Sequence, residues 1–176
     1  MQYHGYGTVG TRAAGDGIVH HQQPRSARSK EDTHASMVTS AARFGDIDFR
    51  VRTRTVRHVR DGEPNPWEVS WIVWAYTDDG HFYYFVPKPN GWELGKRDPD
   101  YPGGQRDLKT DSRPTFPVGP WYDVRVRQVG ARMRVWVDGE EIVRFTDHER
   151  PYRRGAIGLY NEDAQVQFDD ITVDEP

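Results

Sequence analysis

The sequence predicts an all-β chain folded as a sandwich of two antiparallel sheets, and three observations carry that expectation. Apolar and charged residues alternate with period two through several segments, the pattern of a strand with one buried face. Seventeen Gly and twelve Pro in 176 residues punctuate the chain at short intervals, and Asp-Gly and Asn-Gly pairs mark tight hairpin turns. No window sustains helical periodicity over three turns, while Val, Tyr, Trp and Thr, which suit a pleated surface, outweigh Leu. The uneven strand lengths favour a sandwich over an up-and-down barrel.

Taken in order, residues 1–43 are polar and irregular, with short edge strands expected at Tyr6 to Val9, Gly17 to Val19 and Met37 to Val38. Gln22 to Thr33 reads either as a disordered loop or as one lip of a binding site. From Phe44 the pattern sharpens: Ile47, Phe49 and Val51 alternate with Asp48, Arg50, Arg52 and Arg54. Trp67 to Tyr76 is apolar at nearly every position, and the turn Asp78-Asp79-Gly80 returns it through Phe82 to Val86. Asn90-Gly91 starts a short strand from Trp92 to Lys96, and a Pro- and Gly-rich loop with a brief strand near Leu108 follows. Tyr122, Val124 and Val126 alternate with charged residues, as do Met133, Val135 and Val137. Asp138-Gly139 turns the chain back through Ile142, Val143 and Phe145, and Gly155 to Tyr160 and Val166 to Val173 close it. The expected organisation is one domain over residues 1–176, with the core sandwich in 44–173.

Composition excludes several classes. Twenty-four basic and twenty-seven acidic residues give a net charge of −3 with no long block of one sign, so no nucleic-acid partner is expected. There is no Cys, hence no disulfide framework, thiolate metal site or cysteine nucleophile. No apolar run is long enough to cross a membrane, and no membrane partner is expected. The first residues lack the regions of a signal peptide. We expect a mature or trimmed extracellular domain, monomeric, with a cytoplasmic protein as the other reading.

Three segments carry a family likeness: Phe44-Gly-Asp-Ile-Asp-Phe-Arg-Val51, then Gly119-Pro-Trp-Tyr-Asp-Val-Arg-Val126 with Arg134-Val-Trp-Val-Asp-Gly139, and Gly155-Ala-Ile-Gly-Leu-Tyr160 with Phe168-Asp-Asp-Ile-Thr-Val173. On these the chain resembles the concanavalin A-like lectin/glucanase superfamily. Within it the chain is most similar to 3-keto-disaccharide hydrolase and laminin-G-like domains. The resemblance implies a jelly-roll β-sandwich whose concave sheet face meets carbohydrate. Where the keto-sugar hydrolases usually show Asn-Ser-Gly, this chain reads Glu68-Val-Ser-Trp71.

A sugar site needs flat rings for its C–H face and polar groups for its hydroxyls. Of the two parities in Trp67 to Tyr76, the drier (Trp67, Val69, Trp71, Val73, Ala75) is expected in the core. The other carries Glu68, Ser70, Ile72, Trp74 and Tyr76 outward. A two-residue turn at Asp79-Gly80 sets Tyr76 opposite Tyr83 and Asp78 opposite His81. That adds His81 and Tyr83 to the site and sends Phe82, Tyr84 and Val86 inward. Leu94 leaves Glu93 outward, while Trp92 and Lys96 stand at strand ends within reach of the cleft.

The expected site therefore has Glu68 and Glu93 as carboxylates and Trp74, Tyr76, Tyr83 and Trp92 as platforms, with Arg52, Arg54 and Lys96 as cations. Two carboxylates would suit a glycoside hydrolase. Tyr83 or His81 as base beside Arg52 and Arg54 would suit a polysaccharide lyase. Binding without catalysis is the first expectation, an enzyme the second, and a protein-interaction module the third. The competing reading makes the Arg row a solvated strand face.

The resemblance also implies a structural calcium held by Asp169 or Asp170 with Asp46 nearby; oxygen ligands suit that ion. No organic cofactor is expected. His20 and His21, with His4 and His34, read as solvated loop residues, since adjacent strand positions face opposite ways.

Overall fold

The structure, a computed structural model, describes residues 2–5, 7–14 and 17–176, and the side chains of all of these except residues 2–4 and 14. Tyr6, at the start of one expected edge strand, and the His4 side chain lie outside the described residues. The strands in chain order are β1 (Gln2–Gly5), β2 (Thr8–Ala14), β3 (Gly17–Gln23), β4 (Ala35–Thr39), β5 (Ile47–His58), β6 (Ser70–Asp78) and β7 (His81–Lys88). They continue with β8 (Gly91–Arg97), β9 (Gln105–Asp111), β10 (Tyr122–Val129), β11 (Arg132–Val137), β12 (Glu140–Thr146), β13 (Ala156–Glu162) and β14 (Ala164–Asp174).

Two seven-stranded antiparallel sheets result. The first runs β1-β4-β13-β6-β7-β8-β9 and the second β12-β11-β10-β5-β14-β3-β2. Hairpin neighbours come from short turns, as at Asp138-Gly139, where both residues take the positive φ that a tight hairpin demands. The N-terminal part is more regular than its composition suggests. Strand β4 is an interior strand of the first sheet, between β1 and β13, and the β2–β3 hairpin edges the second.

Between the sheets lies a core in which Ile47, Phe49 and Val51 of β5 and Val124 and Val126 of β10 meet Ile72, Trp74, Tyr83, Phe85 and Leu94. This side buries Trp74 and Tyr83 completely, where the sequence placed them outward. A second apolar cluster sits on the other face of the first sheet: Val69, Trp71, Val73, Phe82, Tyr84 and Val86, joined by Met37 and Ala156. The first sheet is therefore apolar on both faces, which is why β6 reads as an unbroken apolar run.

The loop after β3 is anchored by a buried ion cluster. Arg60 donates from Nε to Glu68 Oε1 (2.7 Å) and from Nη2 to Asp163 Oδ2 (3.1 Å). Its Nη2 also reaches the Asp32 carbonyl (2.9 Å) and its Nη1 the Ser29 carbonyl. The Ala27 amide donates to the other oxygen of Asp163 (3.0 Å). Removing one partner of such a cluster leaves an uncompensated buried charge.

Candidate functional site

The outer face of the first sheet is built by alternation, row by row. Register places Tyr160 of β13 beside Met37 and Trp71. Val73 lies beside Tyr84, Tyr84 beside Gly95, and Gly95 beside Asp107. The rings close on one another: Trp71 lies 4.9 Å from Tyr84, tilted, and 5.1 Å from Tyr160, edge-on. Trp71 Nε1 donates to the Trp67 carbonyl (2.8 Å), so the buried indole holds the strand entry that carries the exposed one. Trp67 is 41% exposed.

Gly95 gives this floor its shape. A Cβ there would stand 2.2 Å from the Tyr84 hydroxyl, so only glycine lets the Tyr84 side chain cross β8. Its hydroxyl accepts from Gln105 Nε2 (2.9 Å) and comes within 3.5 Å of both Glu93 and Asp107. Glu93 in turn takes a hydrogen bond from Lys88 Nζ at 2.6 Å. Tyr160 donates to Glu162 Oε1 at 2.6 Å. Burial, added to the charge of the neighbouring carboxylates Asp163, Glu68 and Glu93, pushes the Glu162 carboxyl up to about 7. The Tyr160 hydroxyl is pushed up by burial first and by Glu162 second, and the Tyr84 hydroxyl by burial first and by Glu93 and Asp107 second.

Two depressions adjoin over this floor and share Trp71, Gln105 and Glu162. One, of about 340 Å³, extends toward Met37, Phe82 and Arg97. The other, of about 450 Å³, extends toward Trp67, Lys88, Glu93 and Asp107. The result is a groove with an aromatic floor and a rim in which carboxylates outnumber cations.

Of the expected site residues, Glu93 and Tyr76 stand on this face. Tyr76 does so because of a bulge: Trp74 pairs with Tyr83 while Asp78 pairs with His81, and Ala75 takes a φ of 52°. The irregularity keeps the expected Asp78–His81 pairing but replaces Tyr76 by Trp74 opposite Tyr83. Trp74 and Tyr83 point into the core. Trp74 Nε1 donates to Gln128 (2.7 Å) and the Tyr83 hydroxyl to Asp147 (2.7 Å). Lys96 is sealed between the sheets, donating to the same Asp147 carboxylate (2.9 Å). Trp92 faces the core and donates to the Arg113 carbonyl.

Glu68 is closed off by Arg60 and Asn65. Its carboxylate is 1% exposed and meets no groove. His81 stays at its hairpin, paired with Asp78 (2.7 Å). Arg52 and Arg54 belong to the second sheet and point away from the first. Both guanidinium groups lie over the Trp121 ring, at 5.0 and 5.6 Å.

Asp46 accepts from the Gly130 amide, Asp169 from the Asp170 amide, and Asp170 faces Arg52. Among the described residues no three His, Asp or Glu side chains gather as a metal-binding group. His20 and His21 do face opposite ways, but both lie in β3, His20 half-buried against Phe168 and His21 only 6% exposed, so neither is the solvated loop residue expected.

The sequence reading missed Trp67, Trp71, Tyr84, Gln105, Tyr160 and Glu162. One signal was available: the pairing of a glycine, Gly95, across from Tyr84 marks a ring that must lie over its neighbour strand.

This architecture, two packed sheets with a groove on the outer face of one, defines a galectin-like jelly roll. The chain belongs to the family of 3-keto-alpha-glucoside-1,2-lyase-like domains, whose model matches residues 2–174. No curated protein matches the chain significantly. Among solved structures it is similar to the carbohydrate binding module CBM66 from Bacillus subtilis, with 15% identity, 98% of this chain and 94% of that one covered, and a TM-score of 0.68. A Bacillus subtilis protein of unknown function with a galectin-like fold aligns at 12% identity over 98% and 89% of the chains, TM-score 0.66. A Parabacteroides distasonis protein provisionally assigned as a glycosyl hydrolase aligns at 10% identity over 85% and 89%, TM-score 0.56.

Proposed function

We propose that the groove on the outer face of the first sheet binds carbohydrate. The observation that carries this reading is the exposed Trp67 beside Trp71, with Glu93, Gln105, Asp107 and Glu162 around them. An indole offers a sugar its apolar face, and the carboxylate and amide oxygens accept from its hydroxyls. The excess of carboxylates favours a neutral glycan over a uronate. The name of the Bacillus subtilis binding module agrees with this reading. Affinity electrophoresis against a panel of neutral polysaccharides tests it. Trp67→Ala is expected to weaken retention about tenfold, the loss of one stacked platform. Full retention by that variant would remove the groove from consideration.

A second reading is favoured by Glu162. A carboxyl held near 7 is poised both to accept and to give a proton at neutral pH. The family's name describes a lyase of 3-keto-α-glucosides, and the chemistry fits such a group. A C3 carbonyl acidifies the C2 proton. Glu162 takes that proton, a C1–C2 double bond forms as the C1–O bond breaks, and the leaving oxygen is protonated. The products are an unsaturated keto sugar and the released alcohol. Incubation with a 3-keto-glucoside, following release of the aglycone, checks this step. Glu162→Gln should abolish release while keeping binding; release by both proteins at equal rates would remove Glu162 as the base, and no release above background by the native protein would leave binding as the sole activity of the groove.

A further inference from the structure

The outer face of the second sheet carries the opposite charge. Across β12, β11 and β10 the register sets Arg144 beside Arg134 and Arg134 beside Arg127. Neighbouring strands lie about 4.8 Å apart, so three guanidinium-bearing side chains share one row. With Arg132 they line a depression of about 390 Å³. Glu141 pairs with Arg134 and Arg144. Asp48, next along the row, is taken up by Arg125 and Arg50. Among the described residues Arg127 and Arg132 make no ion pair. Cation outweighs anion here, in a chain whose formal charge is −3.

Two of the arginines are also pre-organised. Trp136 carries the guanidinium groups of Arg125 and Arg134 at 4.9 and 4.7 Å from its ring. Stacking holds a planar guanidinium in place and reduces the entropy lost when it binds an anion. Beside this row a second depression, of about 460 Å³, mixes Arg50, Arg52 and Arg125 with Asp123 and Asp170.

We propose that this face is a second site, separate from the groove, that binds an acidic polysaccharide: a glycan chain carrying carboxylate or sulfate groups. The arginine row takes the anions, and Asp123 and Asp170 accept from sugar hydroxyls. A nucleic acid fits less well. The Trp136 and Trp121 rings are already stacked by arginine and offer a base no free platform.

The test is migration of the folded chain in native gels containing dextran sulfate, polygalacturonate or plain dextran. Retardation by either acidic polymer and not by dextran is expected. Arg127→Ala with Arg132→Ala should weaken that retention about tenfold, the sum of two exposed charge contacts. The melting temperature should stay unchanged, because neither side chain is ion-paired. Trp67→Ala should leave acidic-glycan retention intact, which separates a failure here from a failure of the groove. Unretarded migration of the native protein in both acidic gels would overturn the proposal, as would full retention by the double variant. An oligonucleotide bound as tightly as the glycan and released by the same double variant would overturn it too.

Discussion

The outer face of the first sheet buries Trp71, Tyr84 and Val86 at 5% exposure or less, and its polar groups stand only at the rim. The outer face of the second sheet presents charge: Arg52, Arg54, Arg125 and Arg134 lie half-buried over indole rings. Both faces contain tryptophan, but it does different work in each. Trp71 is a packing element under a groove, whereas Trp136 is a rest for arginine side chains. The difference teaches that on this sandwich one outer face is shaped by aromatic packing and the other by electrostatics.

The contrast gives three expectations of decreasing size. Trp71→Ala removes a ring packed on Tyr84 and Tyr160 and should cost about 3–5 kcal/mol of stability, read by urea denaturation. A loss below about 1 kcal/mol would put Trp71 in the same category as a surface ring.

Next is the pH dependence of the groove. The Glu162 carboxyl lies at about 7 in the fold against an ordinary value of 4.5, so the folded chain holds this proton more tightly than the unfolded one. Its contribution to stability is full below about pH 4.5 and is lost as pH rises through about 7. Glu162→Gln should flatten that decline in a series of melting curves from acid to neutral pH. A slope unchanged by the substitution would mean that Glu162 ionises normally.

The smallest effect is on the arginine face. Trp136→Ala should cost about 1 kcal/mol or less, the scale of exposed cation–π contacts, and added salt should narrow the difference. A cost as large as that of Trp71→Ala would erase the distinction between the two faces.

Much of the second sheet was legible in sequence. In β5, β10 and β11 one parity is Ile, Val, Phe or Met and the other is Arg or Asp, so inside and outside follow directly. The Asp138-Gly139 hairpin was equally plain. The first sheet offered no such contrast, because β6 and β7 are apolar on both faces. There the site rested on a register inferred from the turn at Asp79-Gly80, and the bulge at Ala75 changed it. The bulge put Tyr76 on the groove face, whereas Trp74 and Tyr83 went into the core, and Trp71 and Tyr84 to the groove, because either apolar parity could have packed inward. Glu93 kept its place because Leu94 beside it marked the core.

Local pattern therefore determined the fold class, the strands from Phe44 onward and the charged face of the second sheet, since alternation and turn chemistry act between near neighbours in the chain. Only the tertiary structure decided which parity of the first sheet faces outward. It also decided that Glu68 and Lys96 are buried in ion pairs and that Glu162, from β13, joins Glu93, from β8, at one groove. Those outcomes depend on which of two apolar parities packs against the other sheet and on strands far apart in sequence, and neither leaves a periodic trace in the chain.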